Sequence, residues 1–286
     1  MKPKLLLLAS LALAPLTVHP ETLLQEAFAY PDGRLADVSG GLWTVQSGTL
    51  PLNVFGGLAR LEQADATGGR EDVNRFLARS FDPVADNVTR LYAGFTVNLS
   101  ALPYEGGSST AGSYFAHFKA SAANQFYARV GANREGAAPG AYRLAVANAD
   151  WTSATSLEYP ADLQPGITYD VVLRLDLGTD TSTLWINPVD EFSPNVTATD
   201  PIKYSGTLNA FALRQGTTGS SPNLGGPGAV AVGNLRVATA FPEVQAVPEP
   251  AAATLLLLGG AGLLMRRRRP LGRTDGQRFA GSRHRG

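Results

Sequence analysis

The sequence predicts an all-β chain, an antiparallel β-sandwich flanked by an N-terminal signal helix and a C-terminal transmembrane helix. Three observations carry this. Runs rich in β-branched and aromatic residues recur along the middle of the chain, each bounded by Gly, Pro, Asn, Asp or Ser. No long segment has the 3.6-residue apolar period of an amphipathic helix. No repeat of fixed length is present, which argues against a propeller or solenoid.

The N-terminus reads MKPKLLLLASLALAPLTVHPE. Lys2 and Lys4 precede an apolar stretch from Leu5 to Leu16, about a dozen residues long, too short to span a bilayer and suited to a secretory signal. Residues 1–20 are therefore expected to be a signal peptide. Ala12-Leu13-Ala14 has the small-x-small pattern, but Pro15 follows it, so the cut is left open between Ala14 and Glu21.

Residues 21–242 are expected to form the sandwich. Its strand candidates are RLYAGFTVNLS, SYFAHFKA, QFYARVGA, AYRLAVAN, TYDVVLRLDL, STLWINP, LNAFALRQ and AVAVGNLRVATAF. Successive strand residues point to opposite faces, so each run can be sorted. Tyr114, Ala116 and Phe118 are assigned to the core, against Phe115, His117 and Lys119 outside. Phe126, Ala128 and Val130 oppose Tyr127 and Arg129. Tyr169, Val171, Leu173 and Leu175 oppose Asp170, Val172, Arg174 and Asp176. Leu184 and Ile186 oppose Trp185 and Asn187. The outer sets mix aromatic rings with Arg, His and Asn. They suggest a glycan-binding face of Trp185, Tyr127, Arg129, His117 and Arg174, with rings stacking on sugars and polar groups bonding hydroxyls. The plainer reading of the same face is a solvated surface with ordinary cross-strand pairs.

The C-terminal part contains VPEPAAATLLLLGGAGLLMRRRRP. Ala251 to Met265 carries no charge. As a helix at about 1.5 Å per residue it approaches the thickness of a hydrocarbon core, and the stems of Arg266, Arg267, Arg268 and Arg269 can snorkel. The arginines would stay cytoplasmic and the folded domain outside. Pro248-Glu249-Pro250, an apolar helix and an arginine cluster in that order resemble the PEP-CTERM sorting signal of Gram-negative bacteria. The resemblance implies export, transient anchoring in the inner membrane, processing by an exosortase-type enzyme, and delivery to the cell surface or to an exopolysaccharide or biofilm matrix. A plain membrane anchor is the alternative. Residues 243–270 are assigned to this segment. The polar tail 271–286 departs from the family pattern, which ends near the arginines, and its composition suggests disorder.

Phe28–Leu35, Gly112–Ala132, Tyr142–Asn148, Leu163–Pro188, Phe211–Gln215 and Val232–Phe241 together resemble exported domains of the concanavalin A-like, laminin-G-like jelly-roll type. That superfamily includes lectins, carbohydrate-binding modules and glycoside hydrolases. Its β-glucan hydrolases carry Glu-x-Asp-x-x-Glu on one strand, which aims two carboxylates into a cleft. The run is absent here. Glu62 with Asp65, and Glu71 with Asp72, have the wrong spacing.

Other chemistries find little support. The chain has no cysteine, so disulfides, thiolate zinc sites and cysteine nucleophiles are excluded. Between Glu21 and Val247 there are 22 Asp/Glu and 14 Lys/Arg, a net −8, which disfavours nucleic acid. His117 stands alone in the domain, which rules out a multi-histidine metal site. No cofactor is expected. Calcium is left open by the oxygen-rich stretches Asp176–Thr183 and Asn187–Asp200, of which the first is more simply a hairpin turn. The expected protein is a non-enzymatic structural or adhesive component holding extracellular polysaccharide, with a glycoside hydrolase or lyase as the alternative.

Overall fold

The computed structural model describes residues 20–245, except 63–68, 83–84, 87, 104–112, 122–124, 203 and 216–226. These residues belong to one compact unit that ends at Ala246; the second unit, Val247–Gly286, lies outside them. Of the expected signal peptide only Pro20 is described, and Pro248-Glu249-Pro250 and Arg266 to Arg269 fall outside the described residues. Among the described residues no helix is long and apolar enough to cross a membrane.

Among the described residues two antiparallel sheets face each other. The nine-stranded sheet holds β1 (Thr22–Glu26), β2 (Gly33–Arg34), β4 (Asn53–Phe55), β5 (Leu58–Leu61), β7 (Arg90–Ala101), β12 (Thr168–Asp176), β13 (Thr181–Ile186), β14 (Asn195–Thr199) and β16 (Ala229–Ala238). Its order is β14-β13-β12-β7-β16-β5-β4-β2, with β1 also pairing β16. The seven-stranded sheet holds β3 (Trp43–Ser47), β6 (Asp72–Phe81), β8 (Ser113–Ala120), β9 (Phe126–Asn133), β10 (Arg143–Ala147), β11 (Leu157–Glu158) and β15 (Leu208–Arg214). Its order is β11-β10-β9-β8-β15-β6-β3.

Alternate residues of both sheets interdigitate between the layers, as period-two side-chain direction requires. Leu91, Phe95, Val97, Leu173, Leu175 and Leu184 meet Phe115, Phe118, Val130, Leu144 and Phe211 in one buried cluster. Strand β16 would lose this phase halfway along. The register slips between Gly233 and Arg236, with Asn234 at φ +51°, and returns Leu235 and Val237 to the core.

The first strand closes on the last. Thr22 pairs with Ala238, and the Glu21 backbone N–H donates to Thr239 Oγ1 at 2.9 Å. At the end of β1 the nearly sealed Glu26 carboxylate accepts from Phe28 N (2.7 Å), Tyr30 Oη (2.7 Å) and Trp43 Nε1 (2.9 Å).

A small second core lies on the outer face of the nine-stranded sheet. Tyr92, Val172 and Trp185 are covered by Phe241 and Val244, the strap that follows β16. Phe241 meets Trp185 edge-on at 5.3 Å and Tyr92 at 5.9 Å. Gly94 makes room for the strap, since a Cβ there would lie 2.0 Å from the Val244 carbonyl oxygen.

Candidate functional site

The outer face of the seven-stranded sheet gathers aromatic rings and cations from β8, β9 and β15. The Arg129 guanidinium lies over the Tyr114 ring at 4.8 Å, and Arg214 lies over the same ring at 4.4 Å. Trp151, from the β10–β11 connection, leans on Tyr114 at 5.6 Å. Its indole fits over Gly131, where a Cβ would sit 2.5 Å from the ring. Arg129 also covers Phe126 at 5.5 Å and donates to the Phe126 carbonyl at 3.4 Å. Among the described residues Arg129 and Lys119 form no carboxylate ion pair, and Arg214 has only Asp72, at 3.9 Å.

His117 sits beneath this layer at 2% exposure, against Phe126 (4.7 Å) and Tyr114 (5.4 Å). Among the described residues neither ring nitrogen has a hydrogen-bond partner. Burial, and then the charges of Arg129, Arg214 and Lys119, hold its pKa well below the ordinary value, so the imidazole is neutral. An unfolded histidine gains a proton as pH falls below about 6.5, and the folded one does not. The unfolded chain then binds more protons, so stability falls on the acid side, by at most about 1.4 kcal/mol per pH unit for this group. Urea midpoints measured between pH 7 and pH 5 should fall less in His117→Phe than in the unaltered chain. Parallel curves would rule this out.

The five residues read as a glycan face do not converge. His117 and Arg129 belong to this cluster, although His117 is capped by rings. Tyr127 lies on the core side, 2% exposed, against Tyr204 at 4.9 Å, and its hydroxyl accepts from Ser205 N at 3.1 Å. Trp185 and Arg174 lie on the other sheet. Trp185 is sealed under Phe241, and Arg174 spans the ring at 5.4 Å while donating to Glu191 (3.1 Å) and Thr183 (3.0 Å). Trp185 does occupy an outward position, as expected, but the strap covers it.

Two β-bulges cause the misplacement on β8 and β9. The register slips between Tyr114 and Ala116, and again between Ala116 and Phe118, where Ala128 adopts φ +48°. Each extra residue reverses the alternation beyond it. Phe115 therefore enters the core, Tyr114 joins His117 outside, and Phe126 exchanges places with Tyr127. Tyr114, Phe126, Trp151 and Arg214 were missed. Trp151 alone had a sequence signal, as a tryptophan isolated in the polar stretch NADWTS.

The remaining polar groups of interest serve the fold. Glu71 is buried against Arg34 and accepts from Leu52 N at 3.2 Å, Glu62 is exposed, and Asp65 lies outside the described residues. Asp176 Oδ1 accepts from Gly178 N and Thr179 N, and Oδ2 meets Arg90 at 2.9 Å, which makes Asp176–Thr183 a hairpin turn. Asp200 accepts from Ala149 N and Asp150 N. Among the described residues no group of three or more His, Asp or Glu could hold a metal ion.

No family model and no curated protein matches this sequence. Solved structures similar in fold include the alginate lyase Aly36B, at 14% identity and TM-score 0.47, covering 75% of this chain and 95% of that one. A sialidase matches at 14% and 0.43 over 84% of this chain, which spans only 21% of that protein. The lectin UEA-II complexed with galactose matches at 12% and 0.42, over 77% of this chain and 98% of its own. Enzymes thus stand beside a lectin among these structures, and the expectation that the chain is not an enzyme is corrected. The absence of Glu-x-Asp-x-x-Glu excluded one arrangement of paired carboxylates and no other chemistry.

Proposed function

We propose that the outer face of the seven-stranded sheet binds an anionic polysaccharide, in a protein delivered through a PEP-CTERM signal to the cell envelope or extracellular matrix. The observation that carries the binding is the placement of Arg129 and Arg214 over one Tyr114 ring, with no carboxylate paired to Arg129 among the described residues. A guanidinium fork matches a uronate or sulfate group, and the Tyr114 and Trp151 rings offer apolar surface to a sugar. Delivery rests on the sequence order of Pro248-Glu249-Pro250, the apolar segment and Arg266 to Arg269, and it requires an exosortase-type partner.

Titration of the purified protein with uronate-containing and neutral polysaccharides tests this. Arg129→Ala should weaken binding of the anionic polymer by about 10- to 100-fold, the worth of one charged hydrogen-bonded contact. Equal binding of neutral polymers, or no effect of Arg129→Ala, would exclude the reading. Repeating the titration with a chelator tests the calcium expectation.

A further inference from the structure

The two most exposed large apolar side chains among the described residues share one loop. Val189 is 84% exposed and Phe192 95%, both between β13 and β14. The loop is held in one shape. Ser193 Oγ accepts from Val189 N (3.0 Å) and Asp190 N (3.2 Å), and Asp190 Oδ1 accepts from Phe192 N (2.9 Å). Glu191 ties the loop to the sheet, accepting from Tyr92 Oη at 2.7 Å and from Arg174 Nη1 at 3.1 Å. The two apolar side chains are thus displayed on a fixed tip.

The place of this tip points to its occupant. Tyr92, which holds Glu191, also packs on Phe241 of the strap. Gln245, the last described residue, donates from Nε2 to the Pro188 carbonyl at the base of the loop (3.5 Å) and accepts from Arg236 Nη1 (3.4 Å). Strap and loop are therefore joined where the chain leaves the sandwich. Ala251, the start of the apolar segment, is six residues beyond Gln245. Six residues span at most about 20 Å. A chain anchored through residues 251–265 therefore keeps Gln245, which is bonded to the base of this loop, within that reach of the bilayer.

We propose that Val189 and Phe192 insert into the lipid surface of the membrane that holds the anchored chain. This rests on the anchor reading of residues 251–265. An apolar tip of this kind belongs at the boundary between headgroups and acyl chains, where burial of apolar area drives binding. Asp190 and Glu191 are engaged within the protein, so a zwitterionic surface suffices.

The chain has no cysteine, so Phe192→Cys creates one attachment point for a polarity-sensitive dye. Leu157→Cys, 45% exposed on β11 of the other sheet, is the control. The full chain is reconstituted with phosphatidylcholine vesicles whose acyl chains carry bromine. The dye at position 192 should be quenched about twofold or more relative to unbrominated lipid, as expected for a probe at the acyl boundary, and the dye at position 157 should not. A chain that floats with the vesicles while both dyes stay unquenched overturns the lipid contact and leaves the anchor intact. A chain that stays out of the vesicle fraction overturns both. Absence of quenching together with a spectral shift on adding anionic polysaccharide assigns the tip to glycan and overturns the proposal.

Discussion

Glu26→Ala should destabilise the sandwich by about 3–5 kcal/mol, the cost of removing one partner from a buried charged cluster. The carboxylate is 5% exposed and takes three hydrogen bonds, from Phe28 N, Tyr30 Oη and Trp43 Nε1, with the Arg75 guanidinium 3.9 Å away. Alanine would strand all of these donors in a region closed to water. It would also release the turn at Phe28, a non-glycine residue at φ +52° whose ring stacks on Trp43 at 5.6 Å. A bulky residue in that conformation persists only where its surroundings hold it. Urea unfolding measures the loss, and a change below about 1 kcal/mol, the size of an ordinary surface substitution, would refute the argument. Tyr30 supplies a second readout. Burial first, and then Glu26, raise its pKa to about 12. In Glu26→Ala its ionisation should move back toward the ordinary tyrosine value, visible by absorbance titration.

Trp185→Ala is expected to cost a further class of stability, about 3–5 kcal/mol, as a cavity beneath the strap. The ring is 1% exposed, and Phe241 and the Arg174 guanidinium pack against it. Binding of an anionic polysaccharide should survive in the folded variant, because the proposed site lies on the opposite sheet. Two measurements on one protein, an unfolding curve and a titration, separate these effects. Selective loss of binding with stability unchanged would return Trp185 to a ligand site and contradict its placement under Phe241.

The contrast between the sheets shows what was legible. On β12 and β13 the pairing runs without slippage from Val171 opposite Ile186 to Asp176 opposite Thr181, and the alternation assigned every face correctly. On β8 and β9 the same rule failed, because the bulged position at φ +48° is Ala128 and nothing in its identity marks it. Strand β6, Asp72–Phe81, was not recognised. DVNRFLARSF lacks clean alternation, since Arg75 turns toward the Glu26 cluster and the register against β15 jumps between Leu208 and Ala210. The two-residue strands β2 and β11 exist only because their neighbours offer an edge. Val244 and Gln245 read as the start of the sorting segment, yet they pack on the sandwich, a tertiary contact that composition does not encode.

The pairing of β1 with β16 sets the order in which the molecule can be completed. Strand β16 lies inside the nine-stranded sheet, bonded to β7 along one edge and to both β5 and β1 along the other. Until residues 229–238 are available, β7 lacks its inner neighbour and β1 has nothing to join. Closing a connection of roughly 200 residues costs chain entropy before any contact rewards it, which makes such topologies slow to fold. A ribosome still holding residues 229–238 therefore holds an unfinished sheet with open edges. Arrival of the last strand, and not collapse of the first, commits this sandwich to its native state.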